Sequence, residues 1–206
     1  MGKQERMAEL RNEALVLHER ACDPETNLVW GEGNLDSKIV IVGEAPGAEE
    51  NKLGRPFVGK AGRLLNRELV AFGLSRDNIY ITNVMKCRPL ALVNGRRSNR
   101  TPTSKEIAAW RDTLIREIEI VSPRIVLCLG GVAASTLIHP NFLLSTERGR
   151  WFDGPFGTKA IATFHPAYIL RRQAYGDEES LRLFRKDLAA VSAAIRNINA
   201  ISDHKM

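Results

Sequence analysis

The run Ile39-Val40-Ile41-Val42-Gly43 limits what this chain can fold into more than any other segment. Four consecutive branched aliphatic residues leave no polar face to show to water, so the run suits a strand covered on both sides, as in a parallel sheet. Ile79-Tyr-Ile-Thr-Asn-Val84, Arg124-Ile-Val-Leu-Cys-Leu-Gly130 and Ala160-Ile-Ala-Thr-Phe164 read the same way. Helical periodicity fills the intervals. Leu65, Leu69 and Phe72 share a face over about 59–73, and a Thr-Ser-Lys-Glu capping pattern opens 103–121, which carries Trp110, Leu114 and Ile118. Stripes at Met7, Leu10, Ala14 and at Leu181, Phe184, Leu188 predict an N-terminal helix over about 4–20 and a C-terminal helix over about 178–199. Strands alternating with helices, joined by right-handed crossovers, predict an α/β fold: a three-layer α/β/α domain around a central, mostly parallel four-stranded sheet. At 206 residues the chain has the size of a single domain, 1–206.

Composition works mainly by exclusion. No stretch approaches the roughly 18 apolar residues that span a bilayer. The first fifteen residues lack the apolar run of a signal peptide, and Arg6 stands where a myristoylation pattern needs Ser or Thr. Three cysteines argue against a secreted disulfide framework, so a cytoplasmic, monomeric protein is expected, with no membrane partner. Thirty Lys and Arg against 24 Asp and Glu give a net charge of +6, which permits a polyanionic partner without requiring one. The excess gathers in 86–100, where Lys86, Arg88, Arg96, Arg97 and Arg100 meet no acidic residue, and again at Arg171-Arg172 after a Pro-containing loop. Charge alone favours a solvated loop and a solvated helix end; nucleic acid becomes the better reading only if these segments flank a chemical site.

In open α/β sheets ligands bind beyond the carboxyl ends of the strands. Those ends are Gly43-Glu44-Ala45-Pro46-Gly47, Asn83, Gly130-Gly131 and His165-Pro166. The glycine-bracketed turn allows close backbone approach, though a generic βα turn has the same composition. Asn83 offers an acceptor and two donors, the complement of the N3–H and O4 edge of uracil; an Asx turn is the plain alternative. His165 suits donation to a developing negative charge, or a structural role. Phe57, in a Pro/Gly-bracketed loop, is either a stacking face for a planar ligand or a pin to the core. Cys128 lies in an apolar strand and reads as a small hydrophobe. No C-x-x-C pair or nucleophile elbow occurs, so neither a closed metal site nor a serine triad is expected.

Together these segments resemble the uracil-DNA glycosylase superfamily, most closely its family 4. The matching pieces are Gly43-Glu-Ala-Pro-Gly47, Gly54-Arg-Pro-Phe-Val-Gly-Lys-Ala-Gly62, Ile79-Tyr-Ile-Thr-Asn-Val84 with Lys86-Cys-Arg-Pro89, and Thr163-Phe-His-Pro-Ala-Tyr168, which stand in the family's order. The resemblance implies a DNA-repair enzyme that flips uracil out of DNA and hydrolyses its glycosidic bond, leaving an abasic site without lyase action. On it, backbone groups of Glu44 and Ala45 hold the base, Phe57 stacks on it, Asn83 reads its edge, and His165 stabilises charge on uracil O2. Pro166 to Leu170, Tyr168 included, wedge into the strand. Lys86, Arg88, Arg96, Arg97 and Arg171 grip phosphates. Glu44 and His165 belong to the catalytic set. Ala45 stands where a better-known branch has a water-orienting Asp, so Glu50 is the candidate to position water, against the alternative of an ordinary loop carboxylate.

Two departures from family 4 follow. That family binds a 4Fe–4S cluster through four cysteines; here only Cys22 and Cys87 could correspond to ligands and Trp110 stands where the last should be, so neither a metal nor another cofactor is expected. Residues 90–99 form an insertion without the His of a related branch that traps DNA covalently, so a basic DNA contact is expected rather than trapping, with a flexible solvated loop as the alternative. Two other readings stay open: a catalytically inactive DNA-binding or scaffold relative, and a small-nucleotide hydrolase on the same fold class.

Overall fold

A computed structural model describes residues 1–93 and 95–203; Asn94, inside the 90–99 insertion, and residues 204–206 lie outside the described residues. The chain runs α1 (Lys3–Ala21), β1 (Glu32–Gly33), β2 (Ile39–Gly43), α2 (Ala48–Leu53), α3 (Lys60–Ala71), β3 (Tyr80–Asn83), and the hairpin β4 (Leu90–Val93) and β5 (Arg96–Asn99). It continues through α4 (Ser104–Val121), β6 (Ile125–Leu129), α5 (Gly131–Leu137), α6 (Leu144–Glu147), β7 (Trp151–Asp153), β8 (Lys159–Thr163), α7 (Pro166–Gln173) and α8 (Glu179–Asp203).

The main sheet has the order β1-β3-β2-β6-β8-β7. Its central four strands are parallel, with Ile81, Ile41, Leu127 and Ile161 in one transverse row. These are the four strands that the apolar runs predict. β1 and β7 extend the sheet as antiparallel edges of two and three residues, too short to show a period in sequence. Alternate side chains of the central strands feed two cores. Val40, Val42, Tyr80, Val126 and Cys128 pack with α1, α4 and α5, while Ile39, Ile41, Ile81, Leu127 and Ile161 pack with α3, α7 and α8. The fold is therefore three layers, α/β/α, with both sheet faces covered.

Local chemistry explains the helix starts that matter here. Thr103 caps α4 by accepting the Glu106 N–H, and Glu106 returns to the Thr103 N–H at 2.8 Å. The segment after β8, read from sequence as a loop, is helix α7 instead. Pro166 occupies its first turn, where a missing N–H costs nothing, and His165 is its N-cap. No helix among the described residues is long and apolar enough to cross a membrane.

Candidate active site

The carboxyl ends of β2, β3 and β8 open on a cleft of about 610 Å³, lined among others by Glu44, Ala45, Phe57, Asn83, His165 and Arg171. Gly43 and Asn83 are directly paired across β2 and β3. A Cβ on Gly43 would sit 2.3 Å from the Phe57 ring and 2.4 Å from Asn83 Oδ1, so only glycine lets the aromatic ring and the amide face each other here. Asn83 is buried, and its Oδ1 has no hydrogen-bond partner among the described residues. An unsatisfied buried acceptor costs about 1–3 kcal/mol, a cost that a ligand donor in the cleft would remove.

Phe57 sits at φ 53°, a left-handed conformation uncommon for an aromatic residue. Three devices hold it there. Arg76 donates to the carbonyls of Pro56 at 3.0 Å and Phe57 at 2.5 Å, and is itself paired with Glu32. The Glu50 carboxylate accepts the N–H groups of Gly47, Val58 and Gly59 at 3.1, 3.0 and 2.7 Å. Gly62 lacks the Cβ that would strike the Phe57 carbonyl. Glu50 thus lines the cleft while its oxygens tie the 44–47 turn to the Phe57 loop.

His165 accepts the Ala167 N–H on Nδ1 at 3.1 Å, which leaves the proton of the neutral ring on Nε2. Burial, aided by the charge of Arg171, pulls its pKa down to about 4, so the imidazole is neutral at physiological pH. Its ring lies 6.0 Å from that of Phe57, between centroids. Burial also raises the pKa of Glu44, with Arg171 opposing the rise. The Glu44 carbonyl is already taken by the Met85 N–H, as that of Gly43 is by Val84 N–H, which welds the turn to the end of β3. The cleft so assembled combines an aromatic face, an open amide, a neutral N–H donor and a cation at its rim.

The remaining residues singled out from sequence divide sharply. Lys86 cannot reach a phosphate: it is fully buried, and its ammonium donates to Thr82, to the Asn83 carbonyl and to Glu117. The charge of a lysine in a basic segment pointed outward, but three acceptors inside the fold turn it inward. Arg171 lines the cleft, and Arg96 is exposed on the hairpin. Arg88 donates to Asn99, and Arg97 pairs with Asp23 and Glu25. Pro166 is buried in the first turn of α7, while Tyr168 is partly exposed and stacked on Phe164 at 5.0 Å. Sequence reasoning missed Asn99, Arg100 and Thr101, which the base of the hairpin brings to the cleft, and Arg76 behind Phe57. A short hairpin around Gly95 was the available signal.

Cys22 and Cys87 are joined in a disulfide, 65 residues apart with their Cα atoms at 6.3 Å. Sparse cysteines had argued against any such framework; the fold brings the end of α1 beside the segment after β3 and pairs them. Cys128 is buried inside β6, and burial raises its thiol pKa to about 12. Trp110 is fully buried in the core that holds Cys87, with Cys22 packed against it. A 4Fe–4S cluster needs four ligands, usually all thiolates. The chain has three cysteines, two joined to each other and one inside the sheet, and no group of three metal-ligating side chains occurs among the described residues. The residues present do not fit the cluster.

The model of the uracil DNA glycosylase superfamily matches residues 30–189. The chain is 44% identical to a type-4 uracil-DNA glycosylase of Thermotoga maritima, over 83% of this chain and 84% of that protein. A type-4 uracil-DNA glycosylase of Archaeoglobus fulgidus is 40% identical, over 77% of this chain and 81% of its own. A type-5 uracil-DNA glycosylase of Pyrobaculum aerophilum is 29% identical, over 67% of each chain.

Proposed function

This chain belongs to the uracil-DNA glycosylase superfamily, and we propose that it acts in DNA repair by hydrolysing the N-glycosidic bond of uracil in DNA. The observation that carries the reading is the open amide of Asn83 facing Phe57 across Gly43. Flipped uracil stacks on Phe57, gives its N3–H to the unpaired Oδ1, and accepts at O4 from the Asn83 amide. Cytosine presents a donor and an acceptor in the reversed places, so it meets like groups.

Chemistry then follows from charge. As the N1–C1′ bond breaks, the electron pair stays on uracil, and the Nε2–H of His165 stabilises the growing charge on O2. A neutral donor suits this task, because the buried imidazole meets no cation-sized desolvation penalty before the reaction. Water adds to C1′ and gives up a proton to solvent, the departed uracil anion takes one up from solvent, and the products are uracil and an abasic site. Glu44 and Ala45 border the base through the turn. Arg171, Arg96 and Arg88, with Tyr168 and the start of α7, contact the strand; Arg97 contributes when its exposed pairs to Asp23 and Glu25 exchange for phosphate. Glu50 holds the turn against the Phe57 loop and, from the same wall, borders the attacking water. The enzyme acts as a single-domain cytoplasmic monomer without lyase activity, and on the family resemblance Trp110 fills part of the volume a cluster would take.

The test is uracil release from labelled single- and double-stranded oligonucleotides, with hot alkali revealing abasic sites. Asn83→Ala should lose at least a hundredfold in single-turnover rate on uracil while binding abasic DNA normally. DNA binding without uracil release by the parent protein would instead mark a retired, DNA-binding relative.

A further inference from the structure

Behind Asn83, on the side of the sheet away from Phe57, lies a charged cluster that the reaction does not touch. Lys86 and Glu117 are both fully buried, and Tyr80 and Thr82 nearly so. The Lys86 ammonium donates to Thr82 Oγ1 at 2.6 Å, to the Asn83 carbonyl at 2.7 Å and to Glu117 Oε2. Glu117, from α4, accepts in addition the hydroxyls of Tyr80 at 2.7 Å and Thr82 at 3.0 Å. The ammonium also lies 5.5 Å from the Trp30 ring centroid. Gly31 is required beside it, since a Cβ there would strike both Glu117 and Tyr80.

A buried ion pair of this kind is a poor stabiliser. Desolvating two charges offsets most of their attraction, and apolar residues of similar size often serve a core as well or better. What the pair supplies is direction: every proton of the ammonium is committed, and each fixes the acceptor it meets. One of those acceptors is the carbonyl of Asn83. The backbone beyond it is fixed as tightly, with Val84 and Met85 bonded to Gly43 and Glu44, and with the Lys86 carbonyl accepting the Val29 N–H at 2.7 Å. The side-chain amide of Asn83 is thereby aimed from behind while its Oδ1 stays open in front.

We infer that Lys86 and Glu117 are positioning residues for uracil recognition: they lock the end of β3 so that Asn83 meets the base edge in one orientation. The inference rests on the glycosylase reading and specifies how its base reader is held. An amide left to swing offers its oxygen and nitrogen in alternative places, and a uracil reader needs them fixed. Lys86, placed among the phosphate contacts by the family resemblance, acts instead through Asn83 from inside the fold.

The experiment compares the parent with Lys86→Met/Glu117→Gln, which removes both charges together and keeps an acceptor for Tyr80. Three quantities are read beside the thermal midpoint: the single-turnover rate on uracil DNA, inhibition by free uracil, and affinity for DNA carrying a tetrahydrofuran abasic analogue. The expected result is a rate at least tenfold lower and free-uracil inhibition at least fivefold weaker, with abasic DNA bound within twofold of the parent. A folded variant that excises uracil within twofold of the parent overturns the inference. So does a loss of abasic-DNA affinity parallel to the loss of rate, since that pattern belongs to general damage. Should the double variant not fold, Thr82→Val removes one ammonium contact with the ion pair intact, and a three- to tenfold loss confined to the uracil-dependent quantities is expected; no such loss there counts against the inference. If the parent itself releases no uracil, the glycosylase reading fails first and separately.

Discussion

Two segments leave neighbouring parallel strands and wall the same cleft, yet they are held in different ways. Residues 44–62, after β2, are fixed by polar groups aimed at backbone: Glu50 gathers three N–H groups, and Arg76 holds two successive carbonyls. Residues 86–101, after β3, start from a buried lysine and a disulfide and then run outward as a hairpin. The outer part of that hairpin carries the exposed side chains of Leu92, Val93 and Arg96, and the Arg97 guanidinium is held by solvent-exposed ion pairs to Asp23 and Glu25, which water and salt weaken. The contrast follows what each segment has to present. Phe57 must keep a strained backbone conformation to offer its ring, and strain persists only where the surroundings over-determine it. Under the proposed function the hairpin would meet a flexible polyanion and has no such requirement beyond its base.

Breaking the first segment should therefore have the larger effect. Glu50→Ala leaves three N–H groups without their acceptor and frees the Phe57 loop, so uracil excision is expected to fall at least a hundredfold together with the thermal midpoint. Calorimetry and single-turnover kinetics on the same preparation check this. An unchanged midpoint with abolished activity would break the comparison, because it would assign Glu50 to the water rather than to the loop.

Beyond Lys86, the second segment should respond in stability before activity. Its disulfide closes a loop of 65 residues, which the chain-entropy relation values at about 4 kcal/mol. Cys22→Ser, or reduction of the parent, should lower the thermal midpoint by several degrees and leave excision at 25 °C within about threefold, since the Asn83 carbonyl stays bound to Lys86. Thiol titration of the denatured protein should find one thiol before reduction and three after, with iron far below one atom per chain. Stoichiometric iron would overturn this account of the cysteines.

Legibility in the sequence tracked how local the cause was. The central strands were readable because burial on both faces leaves an uninterrupted apolar run, and α4 because its cap lies within three residues of its start. Asn83, Phe57 and His165 were readable as strand-end or loop residues of unusual type, and the fold brings them to one cleft. What stayed hidden depends on partners distant in sequence. Lys86 reads as a surface cation until Glu117, 31 residues on, turns it inward. Glu50 reads as a candidate to position water or as an ordinary loop carboxylate, and its hold on the backbone shows only when Val58 and Gly59 arrive. Cys22 and Cys87 become a pair only when α1 folds back beside β3. The edge strands β1 and β7 escaped because two or three residues carry no period.

The smallest effect concerns pH, and it separates the Phe57 wall from the helix that faces it. His165 caps α7 with Nδ1 while burial and Arg171 hold its pKa near 4, against an ordinary value of 6.5. In the unfolded chain the ring takes a proton below about 6.5. The native ring refuses one until about 4, so across that window the unfolded state binds more protons. Stability contributed by the neutral ring is therefore complete above 6.5 and is lost as pH falls from 6.5 toward 4. Activity should behave differently, because the native enzyme keeps its neutral Nε2–H donor through the same interval. The excision rate should show no inflection near 6.5 and a decline as pH approaches 4, where the ring itself takes a proton; the Glu44 carboxyl in the same cleft, its pKa raised by burial, also takes up a proton on the acid side. Imidazole nitrogen NMR distinguishes the two groups: His165 should hold the Nε2–H tautomer from pH 8 to 5, and Arg171→Gln should move its titration to higher pH. A His165 that titrates near 6.5 with the rate following it would show the ring acting as a cation, and would transfer the task of charge stabilisation from geometry to protonation.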